Sequence, residues 1–357
     1  MTDLPKTYKA VVYDEPGKIS TKVVELDMPE PGPGEVLINL THSGVCHSDM
    51  CVMLNAWPGL PQPTEAGQVG GHEGVGKVVK LGPGAENSAV KVGDRVGIKW
   101  ISAVCFSCPP CLAGYDGVCM NQRISGYFTP GTFQQYVLGP ASYVTPIPEA
   151  LDSAAAAPML CAGVTVFSAL RKSGAKSGEW VVMMGSGGGL GHLAVQIASR
   201  SMGMRVIGID APGKKDLTME CGAEHFIDHT QGNVETEVKK LTDGLGAHCV
   251  VVLTAANAAY AQSMDFLRFG GTLVCVGMPE GDPKAIAKAF PAAMVAQAHK
   301  IVGVPVGDRK EAIETLQLAE RGIVKTHFRT EKMEALTKVF EEMDKGQLQG
   351  RVVLDLS

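Results

Sequence analysis

Four cysteines, Cys105, Cys108, Cys111 and Cys119, follow one another with the spacing C-x2-C-x2-C-x7-C. Thiolates this close in sequence can complete a tetrahedral shell around one ion, and zinc suits a set of four sulfurs. Such a shell leaves no coordination position open, so the implied role is structural rather than catalytic. Two disulfides are the other use for the same residues, but they belong to an oxidising compartment. The start of the chain, Met1 to Lys9, carries Asp3, Pro5 and Lys6 where a secretory signal would have an apolar core. A reducing, cytoplasmic setting is therefore expected, and with it metal rather than disulfide chemistry. Of the other six of the ten cysteines, Cys46 and Cys161 belong to a second set, and Cys51, Cys221, Cys249 and Cys275 read as small buried hydrophobes.

A second set is dispersed: Cys46, His72 and Cys161. Two soft thiolates and one imidazole are the donors of a catalytic zinc that keeps its fourth position for water or substrate. Spacing alone does not join the three. Cys161, between Leu160 and Ala162, reads equally as a buried core thiol, and His72, after Gly70 and Gly71, as a residue that satisfies a turn.

The third feature is a glycine run. The apolar strand Val181–Met184 leads directly into Gly185-Ser186-Gly187-Gly188-Gly189-Leu190-Gly191, and a helix is expected at once. In a strand–loop–helix unit such glycines permit a tight turn and let backbone amides approach a pyrophosphate. In the strict G-x-G-x-x-G register Ser186 occupies the first glycine place. Asp210, nineteen residues after Gly191, ends the next apolar strand, where a carboxylate accepts both adenine-ribose hydroxyls and repels a 2′-phosphate. NAD is therefore expected rather than NADP, although Lys214 and Lys215 stand near enough in sequence to meet a phosphate. Ser186 to Gly191, Asp210 and Lys215 are the candidate cofactor residues.

These groups need a scaffold. A chain of 357 residues suits two domains. Up to about residue 150 it is rich in glycine, proline and short β-prone runs such as Tyr8–Tyr13, Glu35–Leu40, Gly76–Leu81 and Arg95–Lys99, which fits an irregular, mostly antiparallel β domain. Beyond Pro146 an alanine-rich helix begins at Asp152. Strand runs Val181–Met184, Arg205–Ile209, His225–Ile227, Cys249–Leu253, Thr272–Val276 and Lys300–Val304 then alternate with helical segments such as Leu190–Met202 and Ala258–Phe269. That alternation predicts an α/β doubly wound parallel sheet. The stretch from Lys310 to Gly346 reads as mostly helical, with a final strand at Val352–Leu356. Residues 160–298 are the expected nucleotide-binding domain; 1–159 and 299–357 form the other. The net charge of -5 and the lack of a Lys/Arg stripe argue against nucleic acid, and no run of about 18 apolar residues argues for a membrane span.

The segments Gly44-Val-Cys-His-Ser-Asp49, Gly70-Gly-His-Glu-Gly74, the four-cysteine lobe, Phe133-Gln-Gln-Tyr136, Leu160-Cys-Ala-Gly163 and the glycine loop occur in the order seen in medium-chain zinc alcohol dehydrogenases. The chain most resembles the yeast-type branch, from about Tyr8 to the end, where Gly346-Gln347 and Gly350-Arg351 also look like that branch. The resemblance implies a Rossmann domain beside a GroES-like catalytic domain, with Cys46, His72 and Cys161 on a catalytic zinc and the lobe on a structural one. It implies that Glu73 is a carboxylate near the metal able to replace a ligand, and that Asp49 fixes the ring of His72. His47 and Arg351 look like contacts to the NAD pyrophosphate, and Trp57 and Trp100 like walls of a substrate pocket. The activity implied is reversible hydride transfer between a primary alcohol and NAD, the metal polarising the alcohol oxygen. Yeast-type relatives are homotetramers, which makes Lys300–Val304 an expected contact between copies. An NADP-linked aldehyde reductase, a zinc-free reductase and a non-catalytic nucleotide-binding protein are the competing readings.

Two places depart from the branch. The stretch from Pro58 to Val69 is about three residues longer than usual and adjoins Trp57, so substrate preference is expected to differ from ethanol. Ser48 looks like the hydroxyl that accepts the alcohol proton and relays it toward a histidine three residues on, but here that place is Cys51. A thiol relays protons poorly at neutral pH, so turnover should depend more on buffer and pH than in a relative with the histidine. Solvent-isotope and pH profiles of Cys51→His should therefore flatten relative to the parent; identical profiles would remove Cys51 from the argument.

Overall fold

The computed structural model describes residues 4–357, so Asp3 of the polar start lies outside the described residues. The described chain divides into two compact units, one made of residues 4–161, 308–320 and 328–357, the other of 162–307 and 321–327.

The first unit is built on a seven-stranded sheet. Its organising strand is Glu35–Val45, which pairs antiparallel with Gly74–Leu81, Tyr136–Pro140 and Arg351–Asp355. Val36, Leu37 and Ile38 are all fully buried, so both faces of the strand are covered here, where a strand with one solvated face would alternate. The register slips between Leu40 and His42, and Gly76 lies opposite Leu40. A Cβ on Gly76 would stand 2.1 Å from the Asn39 carbonyl oxygen, so only glycine lets the strands close at this bulge. Beyond the bulge the strand runs on to Val45 and hands the chain to Cys46.

The second unit is a six-stranded sheet in the order His225–Asp228, Arg205–Asp210, Trp180–Met184, Ala247–Val252, Leu267–Cys275, Lys300–Gly303, with every pair parallel. In chain order this is 3-2-1-4-5-6, the doubly wound arrangement. Each residue of Trp180–Met184 is buried, the mark of a central strand covered on both faces. Among the described residues no single helix is long and apolar enough to cross a membrane.

Four expectations change. Lys300–Gly303 pairs with Leu267–Cys275, so the boundary expected at 299 moves to Asp308, and residues 321–327 return to the nucleotide unit. The other boundary falls after Cys161 rather than before residue 160. The helix expected over Ala258–Phe269 ends at Ser263, because Leu267 already lies opposite Ala247 in the sheet. Within the tail expected to be helical, Phe328–Lys332 is a strand parallel to Arg351–Asp355. It is an exposed edge strand with charges at Arg329, Glu331 and Lys332, so it carries no apolar alternation to announce it.

Candidate active site

Cys46 ends the central strand's connection and caps the helix His47–Leu54. Its N–H donates to Oδ2 of Asp49 (2.9 Å), while Oδ1 of the same carboxylate meets Nδ1 of His72 at 2.7 Å. One aspartate thus terminates a helix and orients a ring. His72 reaches this point through Gly71, whose φ of +95° and whose Cβ position, 2.8 Å from the backbone nitrogen of Phe133, both require glycine. Cys161 arrives from the short turn Ala157–Leu160. Its Sγ lies 3.2 Å from Nε2 of His72 and 4.0 Å from Sγ of Cys46.

Donor atoms of Cys46, His72, Glu73 and Cys161 all lie within 4.8 Å of one another, and all four residues are buried. Their electrostatics call for a cation. Cys161 hydrogen-bonds Cys46 and, with His72, holds that thiol well below its usual range, pushing its own pKa well above. Burial alone would lower His72, but Asp49 and Cys46 outweigh it and raise the ring well above 6.5. Burial pushes Glu73 up to about 7 against the opposing pull of Arg351. Glu73 Oε2 has no hydrogen-bond partner. A bare buried carboxylate oxygen beside two thiols and an imidazole Nε2 is costly without a positive ion, so the residues present fit a zinc ion.

Arg351, expected at a pyrophosphate, is 5% exposed and its guanidinium pairs with Glu73 Oε1. The reason is local: Val353 pairs with Gly44, so the start of that strand lies beside Glu73, and a buried carboxylate needs its counter-charge. Trp100 stands edge-on to His72 with centroids 4.8 Å apart, and Trp57 is edge-on to Trp100 at 6.3 Å. Both tryptophans therefore belong to the surroundings of the cage. Ser48, partly exposed, occupies the first turn of the helix that follows Cys46. Cys51 is fully buried, and its Sγ lies 3.3 Å from Nδ1 of His47, so the thiol in the relay place is engaged with the neighbouring imidazole.

The lobe cysteines form a second cage. Cys105, Cys108, Cys111 and Cys119 have sulfurs within 4.8 Å of one another, and all ten cysteines are free thiols. Backbone N–H groups of Cys105, Cys108 and Asn121 point at sulfurs at 3.3 to 3.4 Å, the arrangement that stabilises thiolates. The side chain of Asn121 leads the groups that bring Cys105 down to about 5.

In the second unit, Gly185 makes the turn out of Trp180–Met184 with φ +86°, one residue earlier than the strict motif register. Ser186 is buried with its hydroxyl 3.1 Å from that of Thr218, over Gly208, so its side chain packs the loop against the next strand. A Cβ on Gly191 would meet the Gly185 carbonyl oxygen at 2.0 Å, which is the close strand–helix approach that the last glycine serves. Gly187 is buried and donates its N–H to Asp210 Oδ2 at 2.8 Å, while Ala211 donates to Oδ1. Each oxygen keeps a lone pair for a further donor. Gly188, Gly189 and Leu190 are the partly open members of the loop. A cavity of about 180 Å³ beside Gly185 and Asp210 is lined further by Ile209, Thr254 and Ala259. Lys215 is exposed; the lysine against the loop is Lys214, half-buried beside Gly187, its pKa lowered by that burial while Asp210 pulls the other way.

Fold and site together define a nucleotide-linked dehydrogenase with two thiol-rich metal cages. The alcohol dehydrogenase GroES-like domain matches residues 32–149, and the zinc-binding dehydrogenase domain matches residues 189–321. Alcohol dehydrogenase 2 of Emericella nidulans is 63% identical, covering 99% of each chain, and the alcohol dehydrogenase of Schizosaccharomyces pombe is 40% identical over 100% of each. The crystal structure of the alcohol dehydrogenase from Aeropyrum pernix superposes with a TM-score of 0.87 at 28% identity, covering 97% of this chain and 99% of that one. The chain belongs to the zinc-containing medium-chain alcohol dehydrogenases.

The shared carboxylate gives a direct test. Asp49→Ala should weaken zinc at the buried cage by about 10- to 100-fold in a chelator competition while leaving the lobe's ion in place. Unchanged affinity at the buried cage would show that the ring of His72 is held by packing alone.

Proposed function

We propose that this chain catalyses the reversible, NAD-linked oxidation of primary alcohols to aldehydes. The observation that carries this reading is the buried cage, whose donors Cys46, His72, Glu73 and Cys161 come from three separate stretches of chain and converge within 4.8 Å. Zinc held there supplies Lewis acidity toward an alcohol oxygen, and NAD supplies the hydride acceptor. The remaining work falls to the chain. Asp49 keeps Nδ1 of His72 occupied, so that Nε2 is the atom offered to the cage. Ser48 accepts the alcohol's proton. Trp57 and Trp100 bound the substrate and exclude water, which favours unbranched carbinols over bulky secondary ones. The Asp210 carboxylate, facing a ribose 2′-position, disfavours a 2′-phosphate and so favours NAD over NADP.

The second copy needed for a homotetramer fits the outer edge of the parallel sheet. Lys300–Gly303 has a neighbour on one side only, and Ile301 on it is 38% exposed. Nearby in sequence, Phe290 and Val295 are exposed at 55% and 81%, an amount of apolar surface suited to burial by a partner.

Zinc counted per chain, with NADH formation measured over a panel of primary and secondary alcohols, tests the catalytic reading. The parent should hold two ions, one for each of the two cages, and oxidise primary alcohols fastest. Cys46→Ala should retain the lobe's ion and lose activity by several orders of magnitude; full activity with one ion would sink the reading. Light scattering should give the mass of four chains, and Ile301→Arg should lower it; a monomeric parent would remove the edge-strand assembly.

A further inference from the structure

The glycine loop has a guard that none of the roles above use. His192, one residue after Gly191, is fully buried. Its Nδ1 lies 3.0 Å from the carbonyl oxygen of Gly188, which also accepts the backbone N–H of His192 at 3.1 Å. On the other side of the ring, Nε2 lies 3.2 Å from the backbone nitrogen of His327. The partners leave one neutral tautomer: Nδ1 carries the proton and donates to Gly188, and Nε2 accepts from His327.

The segment that presents His327 is itself fixed. Gln196, also fully buried, accepts the N–H of Lys325 through Oε1 and donates through Nε2 to the Lys325 carbonyl, each at 2.9 Å. The helix that follows the loop thus clamps residues 325–327, and residues 325–327 clamp the ring.

A planar trans peptide points its C=O and N–H in opposite directions. Drawing the Gly188 carbonyl inward, onto the ring and the helix, therefore turns the Gly189 N–H outward. Two consecutive glycines impose almost no preference of their own on that peptide, and the backbone N–H of His192 gives its carbonyl a single helical bond; the ring adds a second donor, which narrows the orientations sampled and lowers the entropic cost on binding. We infer that His192 is a positioning residue that sets the Gly188–Gly189 peptide with its N–H toward the dinucleotide phosphates. This rests on the reading of the glycine loop as the NAD site. The glycines supply access, and the ring of His192 reinforces the orientation that the helix's first backbone bond begins.

Binding of ADP-ribose and of adenosine to the full-length chain, measured by calorimetry, separates this role from a merely structural one, because only ADP-ribose carries phosphates. His192→Leu should weaken ADP-ribose by about tenfold, the size of one lost hydrogen bond, and leave adenosine unchanged. His192→Asn, which can place an N–H near the position of Nδ1, should recover most of that loss. His192→Gln, which reaches the position of Nε2 but has no donor at Gly188, should not. The Asn and Gln pair carries the comparison if the leucine variant does not fold. Equal weakening of both ligands, or ADP-ribose affinity the same in Gln as in the parent, would overturn the proposal. A parent that binds neither ligand would instead remove the nucleotide reading of the loop itself.

Discussion

The carboxylate of Asp49 is the interaction on which the first unit's chemistry depends. With one oxygen it satisfies the N–H of Cys46 at the start of a helix, and with the other it fixes the imidazole of His72. A helix cap is worth about 1 kcal/mol, a local and modest gain. Here the same cap fixes the distance between a thiol on one element and an imidazole on another, because both are referred to one rigid group. Tyr13 braces the arrangement by donating its hydroxyl to the Asp49 carbonyl, and the Gly70–Gly71 pair packs against Tyr13 and Phe133 where no side chain would fit. For Asp49, capping the helix and orienting the ring are one role.

Burial sets the remaining terms. Glu73, His72, Asp49 and Arg351 are all at most 5% exposed, so none can rely on water to offset its charge. Arg351 neutralises one oxygen of Glu73 and leaves the other bare toward the thiols. An arginine held this way at the cage explains why the residue is needed at the end of the chain: the last strand delivers it beside the central one. A carboxylate pulled between a fixed guanidinium and an adjacent cation site has two partners of like sign, and its position depends on which is stronger.

What the sequence disclosed followed the range of the signals. The lobe's four cysteines lie within fifteen residues of chain, so their spacing alone indicated a cage. The glycine loop was legible because its strand, turn and carboxylate are sequential, yet the register was off by one: Gly185 rather than the 186 place makes the turn, a distinction that lives in φ and not in residue type. The pairing of Arg351 with Glu73 and the exposure of Lys215 are not legible in the sequence because a charged side chain's partner is a tertiary fact. Glu73 and Gly187 claim the space around them only once the strands are in register. Phe328–Lys332 stayed hidden for the opposite reason, since an exposed edge strand needs no apolar pattern. His192 gave no signal at all: its partners are backbone groups, which every residue has.

The two cages consequently differ in how much of the fold they require. A closed set of four thiols within one loop can be gathered by local chain closure, at an entropic cost that grows only slowly with loop length. The buried set spans Cys46 to Cys161 and has no meaning until Glu35–Val45 has paired with Gly74–Leu81 and the turn before Cys161 has docked. Binding free energy at such a site is stabilisation of the assembled unit, because the unfolded chain offers nothing equivalent. The structural ion therefore secures a lobe, whereas the catalytic ion secures the register of the sheet on which catalysis depends.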